Sequence, residues 1–148
     1  MQTREKVDVR SVFNQVFESQ RDYAQSFNLT LECVSNNLTL KGDVFLIEQA
    51  VTNLVKNAIE HADKESSIAM IAEKNSSGSV TISVTNQGEP IPDYAIDKLF
   101  DRFYSLPKAN GSKGTGIGLS FVKEIAILHG GEAKIESTDS GVIARILI

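Results

Sequence analysis

Apolar residues return along this chain at two different periods, and the switches between them lay out its elements. Val7 to Val9 read as a short edge strand. From Arg10 to Ser26, with Phe27 just beyond, Val12, Phe13, Val16, Phe17 and Tyr23 recur near every third or fourth position, which predicts a helix with Ser11 as its N-cap. Leu29 to Val34 alternates, and Leu38 to Leu40 alternates again beyond Asn36-Asn37, predicting a strand, a turn and a return strand. Gly42 breaks that pattern, and Asp43 is a good N-cap for a second helix that runs through Leu46 to Ala62.

Ser67 to Glu73 is a predicted strand, Asn75 to Gly78 a hairpin turn, and Ser79 to Thr85 a strand with Val80, Ile82 and Val84 on one face. Asn86 to Pro92 is a Gly/Pro-rich loop, and Asp93 to Tyr104 reads as a short helix. Ser105 to Lys113 is polar and aperiodic, which predicts a mobile or ligand-ordered loop. The glycine-rich stretch from Gly114 to Leu119 leads into an apolar helix that reaches about His129, where Gly130-Gly131 stops it. Glu132 to Thr138 and Val142 to Ile148 close a last hairpin around Asp139-Ser140-Gly141. The sum is α+β: a two-layer sandwich in which a mixed, mostly antiparallel sheet is covered on one face by about three helices.

The second helix carries chemistry as well as core. At 100° per residue, Asn53, Asn57, Glu60 and His61 fall on one narrow stripe. Ile47, Val51, Leu54, Val55, Ala58 and Ala62 fall on another, roughly 120° away. Asparagine is only a middling helix former, so two carboxamides stacked at i and i+4 ask for a reason. Side by side they present oxygens and amides that suit a hydrated cation or a ligand; an ordinary polar helix face is the plain alternative.

Length, at 148 residues, allows one domain with a real core. A formal net charge of -4 and no basic run disfavour nucleic acid as the main partner. No apolar run approaches a membrane span, and the start MQTREKVDVR has no signal-peptide core. The single cysteine, Cys33, cannot form an intrachain disulfide, and its alternating surroundings predict a buried thiol in a reducing compartment.

Two glycine-rich segments add to the asparagine helix. Gly114-Thr115-Gly116-Ile117-Gly118-Leu119 opens a helix, where backbone N–H groups and the helix dipole favour phosphate. It is neither a P-loop nor a dinucleotide fingerprint, because the order and spacing are wrong for both. The other is Asn86-Gln87-Gly88-Glu89-Pro90-Ile91-Pro92 at a strand end. In this order, NLVKNA (Asn53 to Ala58), NQGEPIP, LFDRFY (Leu99 to Tyr104) and GTGIGL resemble the N box, first glycine box, F box and second glycine box of sensor histidine kinase ATP-binding domains. That superfamily includes gyrase, Hsp90 and MutL. The resemblance covers about residues 7 to 148, and the SLP after FDRFY is most similar to the CreC-type subfamily.

The resemblance implies a Bergerat-type ATP-binding fold over residues 1 to 148, with residues 1 to 6 a remnant of a preceding helical domain. It implies ATP and Mg²⁺ as ligands. Asn57 would be the metal ligand, and Asn53 would meet phosphate or metal-bound water one turn away. His61 would lie beside the nucleotide. Asn86 would face the adenine amino group, Gly88 would let backbone approach the base, and Ile91 would pack on it. Phe100 and Phe103 would anchor the lid, Ser105 to Lys113, with Tyr104 beside the nucleotide. Lys108 and Lys113, with Arg102, are candidates for positive charge near the phosphates. The backbone of Gly114, Thr115, Gly116, Ile117, Gly118 and Leu119 would hold phosphates.

Water-activating ATPases of the superfamily carry Glu where Asn53 stands. A carboxylate takes a proton from water and a carboxamide does not, so Asn53 favours holding ATP for another nucleophile. The family's phosphoacceptor is a His on a separate helical dimerisation domain. The two histidines here, His61 and His129, lack its sequence context; His129 reads instead as a helix cap, suited to the dipole if cationic. The expected partners are that helical domain and a downstream response regulator. The fragment itself is expected to be monomeric and cytoplasmic, with no nucleic-acid or membrane contact, in a parent that is an inner-membrane sensor. Two positions depart from the family pattern. Asn86 replaces the usual Asp, and Glu60 stands where many relatives place Lys or Arg. A degenerate nucleotide-sensing or docking module, a partner-switching Ser/Thr kinase and a self-contained ATPase are the competing readings.

Overall fold

The computed structural model describes residues 4–35, 37–101 and 118–148. Among them, eleven elements follow in order: β1 (Glu5–Asp8), α1 (Val9–Gln25), β2 (Thr30–Ser35), β3 (Thr39–Gly42), α2 (Val44–His61), β4 (Ser67–Lys74), β5 (Val80–Gln87), α3 (Asp93–Ile96), α4 (Gly118–Leu128), β6 (Glu132–Ser137) and β7 (Gly141–Leu147).

Five strands form one sheet in the order β2-β4-β5-β7-β6. All pairs are antiparallel except β2 with β4, whose register sets Leu31 beside Ile68 and Cys33 beside Met70. Period-2 alternation turns one sheet face inward. Ile68, Met70 and Ala72 of β4, Val80, Ile82 and Val84 of β5, and Val142, Ala144 and Ile146 of β7 are all buried on it. Three helices cover that face: α1 over β2, α2 over β4 and β5, α4 over β6 and β7. The expected two-layer α+β sandwich is what the chain forms.

Several local expectations change. The segment after Asn37 does not return along β2. It pairs with β1 as a separate two-stranded ribbon, Val7 opposite Leu40. The neighbour of β2 is β4, which arrives parallel after the α2 crossover. Cys33 is exposed rather than buried, because β2 is an edge strand on which only Leu31 turns into the core. Asp8, not Ser11, caps α1: its carboxylate accepts from Arg10 N at 3.1 Å, and the Ser11 hydroxyl donates to the same carboxylate at 3.0 Å. The predicted helix from Asp93 extends only to Ile96, followed by turns. Asp43 caps α2 as expected, accepting from Leu46 N at 3.0 Å.

His129 ends α4 but is not a cationic cap. It is buried; its Nε2 accepts the Asp43 backbone N–H at 3.1 Å, while Nδ1 lies 2.7 Å from the Ile125 carbonyl oxygen. An accepting Nε2 carries no proton, so the ring is neutral and Nδ1–H donates to Ile125. This ring ties the end of α4 to the start of α2.

Candidate functional site

The α2 stripe stands as its spacing requires. Ile47, Val51, Leu54, Val55 and Ala58 are buried, while Asn53, Asn57, Glu60 and His61 are all half-buried along the neighbouring line. That position suits side chains that meet a ligand, since they are neither lost in the core nor fully in water. α4 opens against this line: a Cβ on Gly118 would stand 3.9 Å from Asn53 Cγ. Leu119, next along, packs partly on the core.

The end of β5 reaches the far end of α2. Strand alternation puts Asn86 on the inner face, in phase with Val80, Ile82 and Val84, and it is buried. Its Nδ2 donates to the Gln87 carbonyl oxygen at 3.3 Å, and that oxygen also receives Asp63 N–H at 2.8 Å. With Nδ2 so directed, the other carboxamide atom is the acceptor Oδ1. Gly88 follows, and its glycine identity has a packing cause. A Cβ there would fall 2.7 Å from the His61 carbonyl oxygen and 3.3 Å from Asn86 Nδ2. The bared backbone faces the end of α2 at closest range. The loop is then held from outside: Gly88 N–H donates to Ser140 O at 3.0 Å.

Ile91, half-buried and packed on the core, is gripped by Ser137 of β6. The Ser137 hydroxyl accepts Ile91 N–H at 2.6 Å and donates to Ile91 O at 3.1 Å. Phe100 also packs partly on the core. Sequence reasoning missed Ser137, since nothing in a strand-end serine reveals a partner 46 residues back. It missed Tyr23 too, whose hydroxyl donates to Glu60 Oε2 at 3.0 Å. Burial, then the hydrogen bond to Glu60, then the charge of Glu60 raise the Tyr23 pKa above its ordinary value.

Of the candidate residues described, Asn53, Asn57 and His61 lie along one line of α2, and Gly118 at the start of α4 stands beside Asn53. Gly88, just past the end of β5, packs against Asn86 and the carbonyl of His61, while Ile91 is held by β6 and Leu119 packs on the core. Phe103, Tyr104, Lys108, Lys113, Gly114, Thr115, Gly116 and Ile117, with Arg102 and the rest of the lid, lie outside the described residues. Among the described residues no cluster of three or more His, Cys, Asp or Glu side chains could hold a metal. A magnesium ion carried in on phosphates does not demand one, because it keeps several waters and takes few protein ligands. The carboxamide oxygen of Asn57, a half-buried residue, fits that donor set.

Residues 42–148 match the model of the histidine kinase-, DNA gyrase B-, and HSP90-like ATPase family. The chain belongs to that family. Its sequence relatives include bacterial sensor proteins. The sensor protein CreC of Escherichia coli (strain K12) is 38% identical over 141 residues, covering 95% of this chain and 30% of CreC. The sensor protein CzcS of Cupriavidus metallidurans is 38% identical over 106 residues, covering 70% of this chain and 22% of CzcS. The chain therefore spans less than a third of the length of these relatives. In three dimensions it is similar to the catalytic domain of histidine kinase ThkA, with a TM-score of 0.84 and 28% identity over 98% of this chain and 94% of that one. The mycobacterial sensor histidine kinase MprB shares the fold, with a TM-score of 0.85 at 23% identity over 97% of this chain and 95% of that one. No helix among the described residues is long and apolar enough to cross a membrane.

Proposed function

We propose that this domain binds Mg-ATP and presents the γ-phosphate to a histidine on a separate helical dimerisation domain. The observation that carries the reading is the convergence on α2. Asn53 meets the opening residue of α4, while Gly88, beside Asn86, packs against the carbonyl of His61 at the end of the same helix. In this reading the phosphate-side and base-side segments share one rigid element, as a nucleotide site needs.

In this reading Asn57 supplies the metal's protein ligand and Asn53 meets phosphate or bound water. The Gly118 end of α4 adds backbone N–H groups at the positive end of its dipole. The magnesium ion would neutralise phosphate charge and align the γ-phosphoryl group. Asn86 offers Oδ1 to the adenine amino group, because its Nδ2 is directed at Gln87 O. Ile91 supplies an apolar wall. Asn53 leaves water without a general base, so the site holds ATP rather than hydrolysing it. The acceptor histidine belongs to a domain in the remaining length of the parent kinase, and a response regulator takes the phosphoryl group onward. In a membrane-anchored parent this domain faces the cytoplasm, and alone it is a monomer.

Calorimetric titration with ATP, with and without Mg²⁺ and with GTP in parallel, tests the site. Adding the histidine domain then tests transfer. Adenine-selective, magnesium-dependent binding followed by labelling of the histidine is the expected result. No binding at millimolar ATP would put a docking module with little turnover in its place.

A further inference from the structure

Glu60 sets a physical problem for a site that binds a polyanion. It shares the α2 stripe with Asn53 and Asn57, and follows Asn57 by three residues, about 60° round the helix and about 4.5 Å along it. A glutamate turns about three side-chain bonds, so from that Cα its carboxylate reaches either the α1 side or the side where Asn57 would meet metal and phosphate. On the phosphate side it would repel the ligand.

The structure shows which way it turns. Oε2 of Glu60 receives the Tyr23 hydroxyl of α1 at 3.0 Å, a bond spanning 37 residues of sequence. An O–H donor to an ionised carboxylate is among the stronger hydrogen bonds. Tyrosine is a firm anchor because only two bonds set its ring position. Here the ring is held further by Phe27, edge to face at 5.4 Å between centroids, and both rings pack against the core.

We infer that Tyr23 is a positioning residue for the nucleotide site: its hydroxyl holds the Glu60 carboxylate toward α1 and away from the phosphates. The inference rests on the ATP-binding reading above. It assigns a task to a residue that lies outside all four sequence boxes and within a helix otherwise committed to core packing. The burial and the bond that raise the phenol's pKa also keep it protonated, hence a donor, throughout the neutral range.

The test is calorimetric, with the full chain, using Mg-ATP and adenosine as paired probes and with thermal unfolding followed alongside. Adenosine shares the base but has no phosphate for a carboxylate to repel. Tyr23→Phe keeps the ring and its contact with Phe27 and removes only the hydroxyl. It is expected to weaken Mg-ATP about threefold to tenfold, the scale of one partly screened charge contact, while adenosine changes less than about twofold. The loss should shrink as salt rises. In a Glu60→Gln background, the same Tyr23 change should cost less than about twofold, because the charge it restrains is gone. Equal weakening of both probes, no weakening of Mg-ATP, or a loss that persists in the Glu60→Gln background would overturn the role. If Tyr23→Phe does not fold, Glu60→Gln in the wild-type background decides: a change in Mg-ATP affinity below about twofold supports a carboxylate already held away from the phosphates, and tightening of about threefold or more with unchanged adenosine overturns it. A wild-type chain that binds neither probe would overturn the ATP site itself and this role with it. A wild-type chain that binds both, with variants that fail the pattern, overturns this role alone.

Discussion

The imidazole of His129 and the backbone N–H of Asp43, 86 residues apart, meet at 3.1 Å and lock the end of α4 onto the N-cap of α2. Gly42 is part of the same joint, for a Cβ there would stand 2.6 Å from His129 Cδ2 and 2.8 Å from Ile47 Cδ1. The joint fixes how α2 and α4 lie together, and those helices carry Asn53 and Gly118. His129→Phe should therefore lower stability by about 2 kcal/mol, the cost of an unmet buried donor plus imperfect packing. Gly42→Ala should cost about 1–3 kcal/mol through overpacking. Denaturant unfolding checks both, and midpoints at the wild-type value would remove the joint from the account.

The same histidine shows how far sequence reasoning reached. Its place at a helix end was legible from the Gly130-Gly131 stop, but its charge state was not. Neutrality follows from a donor, Asp43 N–H, that arrives through tertiary structure. The pairing of β2 was misread for a similar reason. Alternation from Leu29 to Val34 reports an extended segment and is silent on its partner, and a nearby second run imitates a hairpin. The true partner comes by way of the α2 crossover, and the edge position that results exposes Cys33. What was legible rested on strict geometry: the two stripes of α2, the inner face of β5 at Val80, Ile82 and Val84, and the Asp43 cap; that β5 runs on through Asn86 to Gln87 was not, because the Gly/Pro-rich composition there reads as a loop. Tyr23 and Ser137 act through single long-range hydrogen-bonded contacts, for which a sequence carries no period.

Ser137 grips both backbone polar groups of Ile91 and so fixes the loop that follows Asn86. Ser137→Ala should cost about 1–2 kcal/mol of stability for two lost hydrogen bonds. It should also weaken ATP and adenosine together, since the loop lies on the base side of the proposed site. Ser137→Thr, which keeps the hydroxyl on a strand, should restore both. Parallel titrations of the two ligands distinguish this from the phosphate-specific pattern expected of Tyr23.

Alkaline unfolding tests the environment of Tyr23. Its folded pKa lies above the ordinary value, by burial first and the Glu60 bond second. The unfolded chain therefore releases that proton earlier. The stability contribution is fully present below about pH 10, the unfolded value, and is lost as pH rises through the folded one. Cys33 overlaps at the lower edge of this window, because partial shielding of its exposed thiol raises its pKa as well. In a Cys33→Ser background, Tyr23→Phe should flatten the fall in denaturation midpoint above about pH 10. An identical slope with and without the Tyr23 hydroxyl would show that Glu60 and burial do not act on it.

Asn86 decides base recognition in the proposed site. Its family position usually holds Asp, whose charge strengthens the bond accepted from an adenine amino group. In the proposed site a neutral Oδ1 would take that task, with Nδ2 directed at the Gln87 carbonyl. Asn86→Asp should tighten Mg-ATP by about fivefold, near the 1 kcal/mol that separates charged from neutral hydrogen bonds. It should lower GTP affinity as well, because a carboxylate has no donor for the guanine oxygen and repels it, whereas an amide can turn to meet it. Asn86→Ala should weaken ATP more than GTP and erase the preference. Calorimetry with both nucleotides on all three proteins gives the answer. Equal ATP affinity for Asn and Asp would mean that the base is read elsewhere, and Ile91 and the Gly88 backbone would become the first places to look.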